Sequence, residues 1–331
     1  MFERNHDDLQ LAGRLTVTML VAGVRTPGGN VETFEVADPR PLASDEVLIA
    51  TRGAGVGNWD NIVRYGGWDV GRPSPLALGV EAAGVIEAVG DNRQNGFSVG
   101  DAVLCHPVPL RDQGTWAPLL IAPVGSLARK PREIPWGTAA IFPVPALTAD
   151  QVVGEALGLH RGETLLVHGA GGITGGLIVQ LAAMRGVDVL ATAGPSSANR
   201  VRRHGAREVL DYRDPLWPQH AKALAKDSID AVANAAPGGA AAAMTALAGG
   251  GRLATITPDL PASTRGIGVT AVYVRSDGPQ LDRLTALLAS GRLTMPTPRS
   301  CGLDQAAAAL AHVVAGHEPS GVVLTTDNPG S

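Results

Sequence analysis

The stretch "LLVHGAGGITGGLIVQLAAMRGVDVLATAG", Leu165 to Gly194, decides the fold. An apolar strand ends at His168, glycines follow, an amphipathic helix is predicted from near Gly175 to Arg185, and a second apolar strand runs from Val187 to Thr192. Strand, glycine turn, helix and second strand make one βαβ unit. Glycine is needed in the turn because a dinucleotide pyrophosphate has to approach the backbone closely and lie over free N–H groups at the helix start. The strict Gly-x-Gly-x-x-Gly spacing fails, since Gly169 and Gly171 are followed by Thr174, but Gly169, Gly172 and Gly175 place glycine at every third residue. The turn Gly169, Gly171, Gly172, Ile173, Thr174, Gly175 is therefore expected to hold a dinucleotide; the other reading is a tight turn that binds nothing.

The second strand selects the cofactor. NAD sites use an acid at the C-terminal end of that strand to accept the ribose hydroxyls, and "ATAGPSSANR" offers none. Asp188 stands at the wrong end. Thr192, Ser196, Ser197 and Arg200 supply hydroxyls and a cation, a set suited to a 2′-phosphate, so NADPH is expected rather than NADH.

Beyond this unit, Thr164–Val167, Val187–Thr192 and Ala231–Ala233 alternate with helical stretches from Gly175, Ala198 and Ala240, the pattern of a parallel sheet with crossover helices. From Arg14 to about Val144 the texture is different: short β-runs such as Val47–Thr51, Ala83–Val89 and Ala102–Leu104, punctuated by Gly and Pro. Two helical segments, Gln280–Ala289 and Leu303–Ala315, and a short strand, Gly321–Thr325, close the chain.

The 331 residues suffice for two domains, and 45% hydrophobic with 18% charged residues describe a folding chain. A formal charge of −4 and scattered arginines argue against nucleic acid and anionic membrane as partners. No apolar run reaches spanning length. Met1 to Gly13 is polar and acidic, so it reads as a frayed leader and not a secretory signal. Cys105 and Cys301 alone give neither a disulfide framework nor a Cys-x-x-Cys knuckle, which fits a reducing cytoplasm.

Four motifs in order and spacing carry a resemblance: "PLALGVEAAGVIEAVGDNRQNGFSVGDAV" (Pro75–Val103), "GTWAPLLIAP" (Gly114–Pro123), "FPVPALTA" (Phe142–Ala149) and "HGAGGITGGLIVQLA". The chain from Arg14 onward resembles the medium-chain dehydrogenase/reductase superfamily, and within it the zinc-independent quinone oxidoreductase branch. The resemblance implies an α/β protein: a GroES-like β-rich catalytic domain, 1–146 and 278–331, and a doubly wound Rossmann domain, 147–277. It also implies a homodimer formed through the Rossmann edge strand. Zinc-dependent relatives carry a cysteine ligand where this chain has Gly57, a hydroxyl proton donor at Trp59 and a histidine ligand at Val80. Catalytic zinc needs about three protein ligands, so no metal is expected.

Without a Lewis acid the chemistry shifts to acceptors that take hydride readily, quinones or conjugated enones. In "GAGVGNWDNIV", Gly53–Val63, Asn58 is the candidate hydrogen-bond donor to the acceptor carbonyl, or else a turn residue bonded to its own backbone. The branch often places tyrosines just beyond this loop; here Ile62 and Trp68 take those places, with Tyr65 nearby. Trp59, Trp68 and Trp116 are a candidate platform for a flat substrate, or core packing. Tyr212 matches a tyrosine at the cofactor's 2′-phosphate end, Thr148 lies near the nicotinamide carboxamide position or starts a helix, and Asn234 and Val274 close strands where backbone contacts to the cofactor are expected. Glu81 is either paired internally or exposed on a bend. The tail strand of relatives begins Gly-Lys, and Gly321-Val322 departs from it, leaving phosphate to Arg200 or another arginine. Two rivals stand beside the quinone reading: an enoyl reductase of a biosynthetic pathway, and a non-catalytic NADPH-binding protein.

Overall fold

In the computed structural model, which describes residues 18–91, 96–316 and 320–326, the diagnostic unit folds as β9 (Thr164–His168), α4 (Ile173–Met184) and β10 (Asp188–Thr192). The leader Met1 to Gly13 lies outside the described residues. Ahead of the unit run β1 (Thr18–Val24), β2 (Glu32–Ala37), β3 (Glu46–Val56), α1 (Asn58–Arg64), β4 (Leu76–Ala77), β5 (Ala82–Val89), β6 (Ala102–Cys105), β7 (Leu119–Pro123), β8 (Leu127–Arg129), α2 (Trp136–Ala140) and α3 (Pro143–Gln151). After it come α5 (Pro195–Arg203), β11 (Glu208–Leu210), α6 (Trp217–Leu224), β12 (Ala231–Asn234), α7 (Ala240–Thr245), β13 (Arg252–Thr255), β14 (Gly268–Ala271), α8 (Gly278–Ala289), β15 (Arg299–Gly302), α9 (Ala306–Val314) and β16 (Val322–Thr325). Helix α4 starts two residues before the expected Gly175, because Gly172 in extended backbone begins it.

Strands β9 to β14 form one parallel sheet in the order β11-β10-β9-β12-β13-β14, which reverses direction of growth between β9 and β12. This is the doubly wound order, with its ligand crevice at the switch point beyond the strands' C-terminal ends. Strand alternation divides the core: Leu165, Val167, Val189 and Ala233 face α3 and α4, while Leu166, Leu190, Val232 and Leu253 face Trp217 of α6 and Ala243 of α7. Each fully buried Leu or Val contributes about 1.5–3 kcal/mol.

The chain's first part and its tail fold together. The larger β-sheet runs β15-β16-β3-β5-β6-β8, with β7 also on β3, and a small sheet runs β2-β1-β4. Tail strand β16 lies antiparallel to β3, pairing Val322 with Val56, so residues far apart in sequence build one domain. Its core is a second cluster around Ile49, Ile86, Leu120 and Leu324.

Candidate functional site

Gly169 follows β9 in the left-handed region, φ +87°, and a Cβ there would come within 2.9 Å of the Ala235–Ala236 peptide. Only glycine suits both demands. At Gly175 a Cβ would stand 2.3 Å from the Gly169 carbonyl, so the helix can pack this close to the turn only without one. Gly172 faces outward, exposed, and no side chain caps α4, which leaves the first N–H groups of the helix unspent toward the crevice. These features fit a dinucleotide pyrophosphate.

The expected phosphate set divides. Arg200 donates to the Gly171 carbonyl at 2.7 Å, Ser197 lies against Gly171, and Tyr212, exposed, has its ring beside Gly194. Ser196 is exposed at the start of α5. All four gather at the C-terminal end of β10, whereas Asp188 at the other end is ion-paired with Arg207 at 2.8 Å. Thr192 is a correction. It is fully buried, and its hydroxyl accepts from the Gly169 N–H at 3.1 Å and bonds His168 Nδ1 at 2.7 Å, so it braces the turn from beneath. His168 stacks on Trp217, centroids 4.5 Å apart, and burial pushes its imidazole down to about 4, so it is neutral at neutral pH.

For Thr148 the helix-start alternative is corrected. Thr148 sits inside α3, and its hydroxyl donates to the Val144 carbonyl one turn back at 2.7 Å, as buried helical threonines do for want of another acceptor. Asn234 is fully buried and its amide is spent on Thr255 and Thr257 and on the Ala236 N–H. Val274 packs against both cores, at the junction of the two domains.

The glycine turn meets the GroES-like domain through the tail. Gly321, in the left-handed region at φ +87°, lies against Ile173 and Ile141: a Cβ there would meet their Cδ1 atoms at 2.9 and 3.0 Å. The next residue, Val322, is fully buried and pairs with Val56, one residue before Gly57. The tip of α1 is thereby set opposite the start of α4. Asn58, exposed, is the first residue of α1, and its side chain bonds to none of the described residues.

The aromatic residues meet different fates. Trp116 is fully buried, its indole N–H donating to the Gly55 carbonyl at 2.9 Å; it is core and not platform. Tyr65 is 61% exposed at the far end of α1, with Arg64 over its ring, and lines a groove shared with α9. Its placement removes it from the tip of α1 where Asn58 stands. Trp68, half-buried, walls a pocket of about 210 Å³ with Val24, Pro27, Val63 and Val70, and its other neighbour is His106, centroids 6.0 Å apart. Trp59, half-buried, lies flat on Gly57, where a Cβ would be 2.0 Å from indole Cε2.

Beneath the tip of α1 lie titratable groups. Asp60, fully buried, accepts from the Gly57 N–H at 2.8 Å; burial pushes its carboxyl up to about 8, against the opposing effect of the Gly57 and Gly79 N–H groups. Glu81 is paired internally, with a backbone group: it accepts from the Val144 N–H at 2.8 Å, and burial, with the Asp60 charge adding, holds it well above the usual carboxylate range. His106 donates through Nδ1 to the Val80 carbonyl at 2.7 Å, its own carbonyl accepts from Ser276 Oγ at 2.6 Å, and burial pushes its ring down to about 4. Burial raises the Cys105 thiol to about 12, which makes it inert. Asp60 and His106 escaped the sequence reading; an acid at the third helical position after Gly57 was the available signal for the first. Missed too was a buried clamp, Asp150 accepting from Gln280 at 2.7 Å and Arg283 at 2.5 Å, which ties α3 to α8.

The residues do not fit a catalytic zinc. Gly57 and Val80 have no side-chain lone pairs, and no cluster of three or more His, Cys, Asp or Glu able to hold a metal occurs among the described residues.

Residues 43–131 match the alcohol dehydrogenase GroES-like domain family, and residues 204–324 the family described as zinc-binding dehydrogenase. The chain is 33% identical over 185 residues to a probable quinone oxidoreductase of Schizosaccharomyces pombe, covering 56% of this chain and 54% of that one. It is 35% identical over 166 residues to the erythronolide synthase EryA2 of Saccharopolyspora erythraea, covering 50% of this chain and 4% of the synthase. The match thus spans about half of the first relative and a small part of the second. Among solved structures, an NAD-dependent alcohol dehydrogenase superposes with TM-score 0.82 at 26% identity, covering 94% of this chain and 100% of that one. A mycobacterial protein complexed with NADPH superposes with TM-score 0.79 at 25% identity, with the same coverage. The two family matches cover both halves of the fold in order: the chain belongs to the medium-chain dehydrogenase/reductase superfamily, and quinone oxidoreductases are among its relatives.

Proposed function

We propose that the protein is an NADPH-dependent, zinc-independent reductase that passes hydride to a quinone or a conjugated enone. The observation that carries this reading is the meeting of an open glycine turn with an α1 tip that bears an amide and no metal ligand. The division into a catalytic part, 1–146 and 278–331, and a cofactor part, 147–277, is part of the same reading.

The nicotinamide supplies hydride. Gly169, Gly171, Gly172, Ile173, Thr174 and Gly175 would hold the pyrophosphate, and Arg200, Ser196, Ser197 and Tyr212 the 2′-phosphate, since no carboxylate stands at that end of β10. The unpaired Asn58 amide would donate to the acceptor oxygen as negative charge builds there, an interaction worth more in a cleft than in water. Trp59 and Trp68 are the remaining aromatic walls for a flat acceptor. With Tyr65 at the far end of α1, the proton comes from solvent.

An enoyl reductase is the second reading, favoured by the match to an erythronolide synthase. The buried free thiols support a reducing cytoplasm, and the open edge of β14 beside exposed Tyr273 supports a homodimer. The test is oxidation of NADPH and of NADH with 1,4-naphthoquinone, an alkyl enone and crotonyl-coenzyme A. Turnover with NADPH and the quinone or enone is expected. Turnover of the thioester alone would transfer the protein to the second reading, and no oxidation with any acceptor would make it a binding protein.

A further inference from the structure

Gly57 is in extended backbone, φ −123°, ψ 166°, a conformation open to any residue. What forbids a side chain there is the Trp59 indole, whose Cε2, Cζ2 and Cδ2 atoms would lie 2.0, 2.2 and 2.4 Å from a Cβ. The indole is not a loose flap. It is half-buried, and its N–H is sealed from solvent without a hydrogen-bond partner, a cost a mobile surface ring would not bear. Two residues back on the same strand face, Gly55 is covered in the same way by Glu81, whose Oε1 and Cγ take the place of a Cβ. The end of β3 therefore presents a bare trough, filled by one indole and one buried carboxyl, next to Val80.

Resting on the metal-free reading above, we propose that Trp59 closes this cleft to a catalytic metal by shape: its indole stands where a ligand side chain at position 57 would have to project. Lack of ligands and lack of room are then separate barriers. Restoring the ligands alone does not restore a site, and glycine at 57 is demanded by Trp59 and not by the backbone.

The test has two arms on the full chain. In the first, urea unfolding compares Gly57→Ala, Trp59→Ala and the double variant with wild type. Gly57→Ala is expected to lower the midpoint, and the same change in the Trp59→Ala background to lower it by less than half as much; equal shifts in both would overturn the proposal. In the second, Co²⁺ is titrated into Gly57→Cys/Val80→His and into the same variant with Trp59→Ala. The cobalt–thiolate absorption is expected in the triple variant at least tenfold more tightly than in the double. Equal uptake in the two variants would overturn it. Zinc analysis of wild-type protein separates the two claims: one bound Zn²⁺ per chain would sink the metal-free reading itself, while loss of coupling with no zinc would sink the role of Trp59 alone.

Discussion

Asparagine in place of Asp60 should flatten much of this protein's stability against pH. Burial pushes the folded carboxyl up to about 8 from 3.8, and the Gly57 and Gly79 N–H groups only partly oppose it. Below 3.8 both folded and unfolded forms hold the proton and Asp60 contributes no pH dependence. Between 3.8 and about 8 the unfolded carboxyl is ionised while the folded one keeps its proton, so the unfolded state binds fewer protons and stability falls as pH rises. Above the folded value the loss is complete. Each pH unit inside that window is worth about 1.4 kcal/mol, so two units, from about pH 5 to about pH 7, remove about 3 kcal/mol through this one group. Asparagine still offers a carbonyl oxygen to the Gly57 N–H and cannot ionise. Glu81 stays in both proteins, and its similar drift cancels to first order. Urea midpoints at pH 5, 6 and 7, with unchanged slopes, should show the variant gaining on wild type by about 3 kcal/mol over the series. Parallel curves, a constant difference at every pH, would refute the claim that the carboxyl is kept neutral by burial.

Arg200→Ala removes a cation that touches the glycine turn, by way of the Gly171 carbonyl; a lost charge-assisted bond of about 1.5–3 kcal/mol predicts NADPH binding weakened about 10- to 100-fold, with NADH binding little changed, by fluorescence titration. Trp116→Phe leaves the Gly55 carbonyl without its indole partner in the core; a cost of about 3 kcal/mol in urea unfolding is expected, from the unpaired group and the smaller ring together. Asp150→Ala strips the acceptor shared by Gln280 and Arg283; because Arg283 is 55% exposed, water takes over part of the pairing, and about 1–3 kcal/mol is expected. Faster hydrogen exchange in α8 than in the β9 to β13 strands should accompany it.

The sheet was legible because its physics is local in sequence. Apolar runs such as Leu165–His168 and Asp188–Thr192 need no partner to be read as strands, and glycines between strand and helix announce a close approach wherever they fall. Hydroxyls are different. Thr148, Thr192 and Ser196 look alike in a sequence, but burial sends the first to its own helix and the second to the turn's underside, and leaves only the third facing water. Three tryptophans divide in the same way: Trp116 finds a carbonyl and vanishes into the core, Trp68 walls a pocket, and Trp59 finds a glycine to lie on. Each fate is set by a neighbour distant in sequence or by the direction of a strand's last residue, which spacing alone does not encode. Asp60 shows where a local signal does exist. An acid three residues after a glycine that starts a helix can accept from that glycine's N–H, which commits the side chain to the backbone. Once so committed, and with Trp59 covering the glycine beside it, the carboxyl is shut away from water, and burial then decides that it carries a proton.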